Sequence, residues 1–142
     1  MADGTAQADK KDLFNASHRY ARISARKARL VMDLIRGEAV ETALTKLRFC
    51  QRRASPMISK VVRSALANAT QKSGAEAGDL VVWHAVVDEG PTMKRWRPRA
   101  QGRAYPRLRR TSHLSVILKA REGEPAGGDS SGGASAESGT KA

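Results

Sequence analysis

A single cysteine, Cys50, is the only thiol in the chain. One thiol excludes an internal disulfide framework and a multi-cysteine zinc site. With Leu47 and Phe49 beside it, Cys50 reads as a buried thiol. Long apolar runs are missing too, since no stretch approaches the roughly 20 residues needed to span a bilayer. Met1–Asn15 carries Asp3, Asp9, Asp12, Lys10 and Lys11 and no apolar h-region, so it does not read as a signal peptide. These features predict a cytoplasmic protein with no membrane partner. Carboxylates are in short supply: 14 Asp and Glu stand against 26 Lys and Arg, a formal net charge of +12 over 142 residues. That surplus exceeds the needs of solubility and implies a polyanionic partner, whether nucleic acid, an acidic membrane surface or an acidic protein.

The sequence also lacks the makings of an active site. His18, His84 and His113 are scattered without metal-ligand spacing. Asp88 and Glu89 are adjacent, and neighbours on a strand point to opposite faces, which suits a bend better than an acid/base pair. No phosphate-binding loop of the Gly, four residues, Gly-Lys-Ser/Thr type is present. No enzyme activity, metal or cofactor is expected.

What is present divides into four parts. Residues 1–15 are polar and patternless and read as a disordered N-terminal extension. Residues 16–92 hold most of the apolar periodicity, 93–110 are intensely basic, and 111–121 return to a strand pattern. The Gly/Ser-rich remainder, 122–142, has too little apolar surface to order itself and reads as a disordered tail. One domain, 16–121, is therefore expected, with an extended hairpin at 88–112.

Three helices are predicted. Ser24 is a plausible N-cap ahead of Ala28, Val31, Leu34 and Ile35, with Gly37 as the stop. Val40, Ala43, Leu44 and Leu47 mark one face of a second helix. Ile58, Val61, Val62, Ala65, Leu66 and Ala69 mark a third, with Pro56 in its first turn. Leu80–Val87, containing Trp83, reads as a strand. Leu114, Val116 and Leu118 alternate with Ser115, Ile117 and Lys119 as another. A weaker strand signal lies at His18–Ile23. The sum is an α+β fold: three helices packed on a small antiparallel sheet, with a long basic β-hairpin protruding from the domain.

The most informative stretch is MKRWRPRAQGRAYPRLRR, Met93–Arg110. It holds Lys94, Arg95, Arg97, Arg99, Arg103, Arg107, Arg109 and Arg110 and no acid. If Leu80–Val87 pairs antiparallel with Leu114–Arg121, this stretch is the far end of one hairpin turning near Gln101–Gly102. At ~3.3 Å per residue and about ten residues per arm, the tip would lie roughly 30 Å beyond Gly90. Alternation then sends Arg95, Arg97, Arg99, Arg103, Tyr105 and Arg107 to one face and Trp96, Pro98, Ala104, Pro106 and Leu108 to the other. A charge run is ordinarily a solvated face or a linker. Here the interleaved Trp96, Tyr105 and prolines argue for nucleic acid, because aromatic and guanidinium planes stack on unpaired bases while Arg forks grip phosphates. Arg19, Arg22, Arg26, Lys27 and Arg29 form a second basic cluster, in which Arg22, Arg26 and Arg29 share a helical face if the first helix begins early. His113 is a further candidate contact.

These residues resemble the bacterial large-subunit ribosomal protein L-twenty-two family. The resemblance rests on SARKARLVMDLIRG (Ser24–Gly37), ANAT (Ala67–Thr70), VDEGPTMKRWRPRAQGRA (Val87–Ala104) and RTSHLSV (Arg110–Val116), in order over about residues 17–120. It implies a helix-and-sheet domain on the outside of the large subunit and a hairpin threading ribosomal RNA to line the nascent-peptide exit tunnel, near the macrolide site. It further implies a part in RNA assembly, with large-subunit ribosomal RNA, neighbouring ribosomal proteins and the nascent peptide as partners. Carried over, the ribbon is Met93–Arg110 and its tip is Arg99, Ala100, Gln101, Gly102 and Arg103. Trp96–Arg97 stands where relatives typically have an aliphatic pair, Tyr105–Pro106 adds a second proline, and the terminal extensions have no counterpart. A DNA-bending protein with an Arg/Pro-tipped β-ribbon arm is the alternative reading.

Overall fold

The computed structural model describes residues 13–121. The expectations for residues 1–12 and for the tail 122–142 lie outside the described residues. In chain order the elements are β1 (Leu13–Ala21), α1 (Ala25–Met32), α2 (Val40–Phe49), α3 (Ser55–Ser73), a 3₁₀ turn (Ala77–Asp79), β2 (Leu80–Pro98) and β3 (Ala104–Ala120). The sheet is antiparallel in the order β1-β3-β2. On one face α3 packs against β1 and β3, α1 packs against β2 and β3, and α2 closes the layer against α3. This is the α+β arrangement that the periodicities predicted.

The core stripes fall where helical and strand spacing put them. Val31, Val40, Ala43, Leu47, Ile58, Val62, Ala65 and Ala69 from the helices meet Leu114, Val116 and Leu118 of β3 and Leu80, Val82, Ala85 and Val87 of β2. The change from even to odd numbers within β2 has a local cause. Val82 pairs with Leu118 and His84 with Ile117, so Trp83 is an extra residue. Such a bulge resets the alternation, returning Ala85 and Val87 to the core and leaving Trp83 exposed.

Three local expectations are corrected, and the expected N-cap is found but works through its backbone alone. β1 begins at Leu13 and ends at Ala21, so Leu13–Asn15, read as part of a patternless extension, are strand residues, and Phe14 is buried opposite Leu118. The short stretch shows too little alternation to reveal a strand whose support comes from the other end of the chain. Ser24 occupies the N-cap of α1, yet its side chain makes no capping bond; its carbonyl accepts from Lys27 and Ala28 N–H. α1 stops at Met32, and tighter i→i−3 bonds from Leu34 and Ile35 carry the chain to Gly37, burying Ile35 and leaving Leu34 49% exposed. Cys50 is half-buried because Phe49 turns outward and does not cover it.

β2 is an edge strand, and its free edge is occupied. Gly37 N–H donates to the Val82 carbonyl and Val82 N–H to the Glu38 carbonyl. Further along, Arg36 Nη2 donates to the Ala85 carbonyl at 2.9 Å, and Arg29 reaches the Val87 carbonyl through Nε (3.3 Å) and Nη2 (3.1 Å). These guanidiniums satisfy carbonyls that would otherwise invite another strand.

Candidate nucleic-acid interface

The ribbon leaves the domain at a second bulge. Glu89 pairs with Ser112 and Thr92 with Arg110, so Gly90 and Pro91 together face Thr111 alone. Thr111 Oγ1 donates to the Pro91 carbonyl at 2.7 Å, holding the two arms at that point. From Pro91 to Arg110 every residue is exposed, so the ribbon is held by its own ladder and has no core beneath it.

Pairing continues to Pro98 opposite Ala104. The chain then reverses through Ala100–Arg103, with Gln101 and Gly102 both left-handed at φ 60° and 67°. Two positive φ values in succession make a type I′ turn, whose twist matches that of the arms. Gly102 was expected there; Gln101 accepts the same conformation at a steric cost. Arg103 N–H closes the turn on the Ala100 carbonyl at 3.4 Å, and Arg99 N–H donates to the Arg103 carbonyl at 2.8 Å.

The register sorts the side chains as alternation predicted. Arg95 faces Arg107 and Arg97 faces Tyr105 on one side, while Lys94 faces Leu108, Trp96 faces Pro106 and Pro98 faces Ala104 on the other. Arg95 opposite Arg107 is a like-charge pair, which weakens an isolated ladder. Trp96 is 68% exposed and Tyr105 55% exposed, on opposite faces. A ribbon with repulsive cross-strand charge and two uncovered aromatic rings fits a partner that supplies both negative charge and stacking surfaces.

The second basic cluster divides in space. Arg22 and Lys27 line an open cleft of about 780 Å³ at the ribbon's base, facing Arg95, Arg109 and Arg110 from the ribbon and Arg53 from the α2–α3 turn. Ser24 and Thr111 also line it, and no carboxylate does. Arg53 was missed from sequence; the signal was its place in the basic run RFCQRR. The early helix start that would align Arg22 with Arg26 and Arg29 does not occur, because α1 begins at Ala25 and Arg22 lies in a bend before it. Arg26 is exposed on α1 outside the cleft. Arg29 is turned to β2. Arg29→Met is therefore expected to lower stability by about 1 kcal/mol while leaving the salt dependence of RNA binding unchanged. Urea melting and titrations at several salt concentrations check both, and a salt slope smaller by ~0.8 would return Arg29 to the RNA interface.

Arg19 and His113 come together through a residue that sequence reasoning overlooked. Tyr20 breaks the β1 register with φ 59°. Its N–H donates to His113 Nδ1 at 3.1 Å, its ring sits edge-on to the imidazole at 4.8 Å, and the Arg19 guanidinium carbon lies 5.9 Å from the ring centroid. Left-handed backbone is uncommon for a bulky aromatic, and here it presents a half-exposed ring beside the ribbon's base. Asp88 and Glu89 pair with successive residues, His113 and Ser112, and so lie on opposite faces of β2. Among the described residues no three His, Cys, Asp or Glu side chains gather as a metal-binding group. No helix among them is long and apolar enough to cross a membrane.

An acid-free β-ribbon opening at its base into a cleft whose charged residues are all cationic is the architecture of a polyanion-binding protein that works by contact. Residues 16–119 match the family described as Ribosomal protein L22p/L17e, and the chain belongs to that family. It is thus a structural component of the large subunit of the cytoplasmic ribosome, and its polyanion is ribosomal RNA.

Proposed function

We propose that this chain helps large-subunit ribosomal RNA reach its assembled form and that its ribbon lines the nascent-peptide exit tunnel, the tip Arg99–Arg103 facing the peptide. The observation that carries this reading is the ribbon itself, a paired arm exposed from Pro91 to Arg110 with no domain surface to rest on. RNA packed on both faces would supply the missing support. Lys94, Arg95, Arg97, Arg99, Arg103, Arg107, Arg109 and Arg110 then hold phosphates while Trp96 and Tyr105 stack on bases or wall the lumen. In the same reading Arg22, Lys27 and Arg53 grip the backbone at the ribbon's root, Arg19, Arg26 and His113 add contacts on the domain, and 16–121 acts as one RNA-binding unit.

A photocrosslinking residue at Gln101 tests the tunnel claim. On ribosomes stalled with chains of graded length, crosslinks to the nascent peptide are expected once the peptide reaches the tip. Crosslinks to RNA alone at every length would defeat it. Sedimentation after a high-salt wash tests the broader reading: the protein is expected to remain with large subunits, whereas recovery only on duplex DNA would favour a DNA-bending arm.

A further inference from the structure

The longest acid-free stretch of the chain, ahead of the one that holds the ribbon, begins in α2. Between Glu41 and Glu76 there is no Asp or Glu, while Lys46, Arg48, Arg52, Arg53, Lys60, Arg63 and Lys72 all fall there. Of these cations only Lys46 makes an ion pair, with Glu38, among the described residues. Solvated helices ordinarily interleave both signs at i,i+4 spacing, because like charges repel. α2 and α3 do not.

Three of these cations, Arg48, Lys60 and Arg63, gather around a groove between the two helices. Leu44, Arg48, Cys50, Ser59, Lys60 and Arg63 line it, and no carboxylate does. The corner is well fixed: Ser55 is buried and its hydroxyl donates to the Leu47 carbonyl, Ser55 N–H donates to the Arg52 carbonyl at 2.9 Å, and Ala54 is buried beneath the turn. At this corner Phe49 is 78% exposed, the most exposed of the large apolar side chains described. An uncovered aromatic in the segment Arg48–Arg53, which carries three arginines, repeats the chemistry of the ribbon, where rings and guanidiniums alternate. Arg53 meanwhile lines the cleft at the ribbon's root, so one short turn walls both sites.

We propose that the α2–α3 corner is a second RNA-binding site, in which Arg48, Lys60 and Arg63 neutralise phosphates of one RNA strand and Phe49 stacks on an unpaired base. The occupant is RNA because every charged residue lining the groove is a cation and the exposed Phe49 lies in the chain between the lining residues Arg48 and Cys50, and phosphate with base satisfies both. Continuity through Arg52–Arg53 lets a single strand run from cleft to groove. The proposal rests on the ribosomal-RNA reading and adds a site independent of the ribbon.

The test uses the full chain and large-subunit ribosomal RNA. Cys50 is the only cysteine and lines the groove, so its alkylation by a maleimide reports occupancy without any substitution. RNA is expected to slow that alkylation several-fold, in the parent and equally when the ribbon is shortened and RNA is saturating. Arg48→Gln, Lys60→Gln and Arg63→Gln combined should weaken binding roughly 100-fold at ~0.1 M salt and reduce the log–log salt slope by about 2, at ~0.7–0.9 per phosphate contact. Phe49→Ser alone should weaken it roughly 10-fold without changing the slope. All four side chains are exposed, so the variants are expected to fold, which melting curves check. Unchanged affinity and slope with unprotected Cys50 would overturn the site while leaving the ribbon's role standing. Variants that bind naked RNA normally yet drop out of assembled subunits would assign the groove to a protein and overturn it too. Failure of the parent chain to bind ribosomal RNA would remove both readings together.

Discussion

Replacing Met93–Arg110 with a short Gly-Ser turn should leave the domain folded and lower affinity for large-subunit ribosomal RNA by roughly 100- to 1,000-fold at ~0.1 M salt. The folding half follows from burial. No buried residue lies in the segment, and the arms still meet through Val87–Leu114, Asp88–His113 and Glu89–Ser112. The binding half follows from counterion release. Each phosphate neutralised contributes a log–log slope of ~0.7–0.9, so one contact is worth roughly 5- to 8-fold at ~0.1 M salt. Losing about three contacts among the eight ribbon cations falls within the stated range. Circular dichroism and amide exchange report the fold, and filter binding across a salt series reports the contacts. Global unfolding would show that the ribbon supports the core. Unchanged affinity would show that the RNA is held elsewhere.

The second large effect is expected at the ribbon's root. A Cβ on Gly90 would lie 2.5 Å from Thr111 Oγ1, 3.2 Å from the Thr111 backbone carbon and 3.3 Å from His113 Nε2. The first distance is inside van der Waals contact, and Thr111 Oγ1 is held by its bond to the Pro91 carbonyl. Gly90→Ala should therefore cost about 1–3 kcal/mol through overpacking, read as a shifted urea midpoint with an unchanged m-value. Adding Thr111→Ala removes the closest atom and should recover part of the loss, while the backbone contact keeps recovery incomplete. A Gly90→Ala protein as stable as its parent would mean that the bulge opens freely and that the arms are not locked at their root.

How much of this was legible in the sequence depends on how local each cause is. The helices and the hairpin register rest on spacing within a few residues and on a turn with Gly102 at its centre, and both were readable. The extra residue at Trp83 was not, because a bulge is decided by what β3 presents opposite. The start of β1 escaped for the same reason, since Phe14 becomes a core residue through β3 and α3, which lie far along the chain. Of the site, the ribbon announced itself as a continuous run. Arg53, Tyr20 and the α2–α3 groove did not: their charges and rings are spread over separate elements that only folding brings together. Arg29 shows the converse: its guanidinium also clasps β2, a role that its place in a basic cluster does not announce.

The position of β3 in the middle of the sheet sets a timetable. β1 and β2 are each hydrogen-bonded to β3, so no ladder can form until Ala104–Ala120 has been made. At ~5–20 residues per second, synthesis from the end of β1 to the end of β3 takes roughly 5–20 s. Through that interval Phe14 has no strand to pair with, and over roughly its last third the apolar run Leu80–Val87 and then the first arm of the ribbon also wait unpaired. Closure of the core and zippering of the ribbon are then one event, driven by contacts far apart in the chain and slow for that reason. A new copy of this protein therefore spends its first seconds as helices without a sheet, when its apolar strands are most open to misassociation.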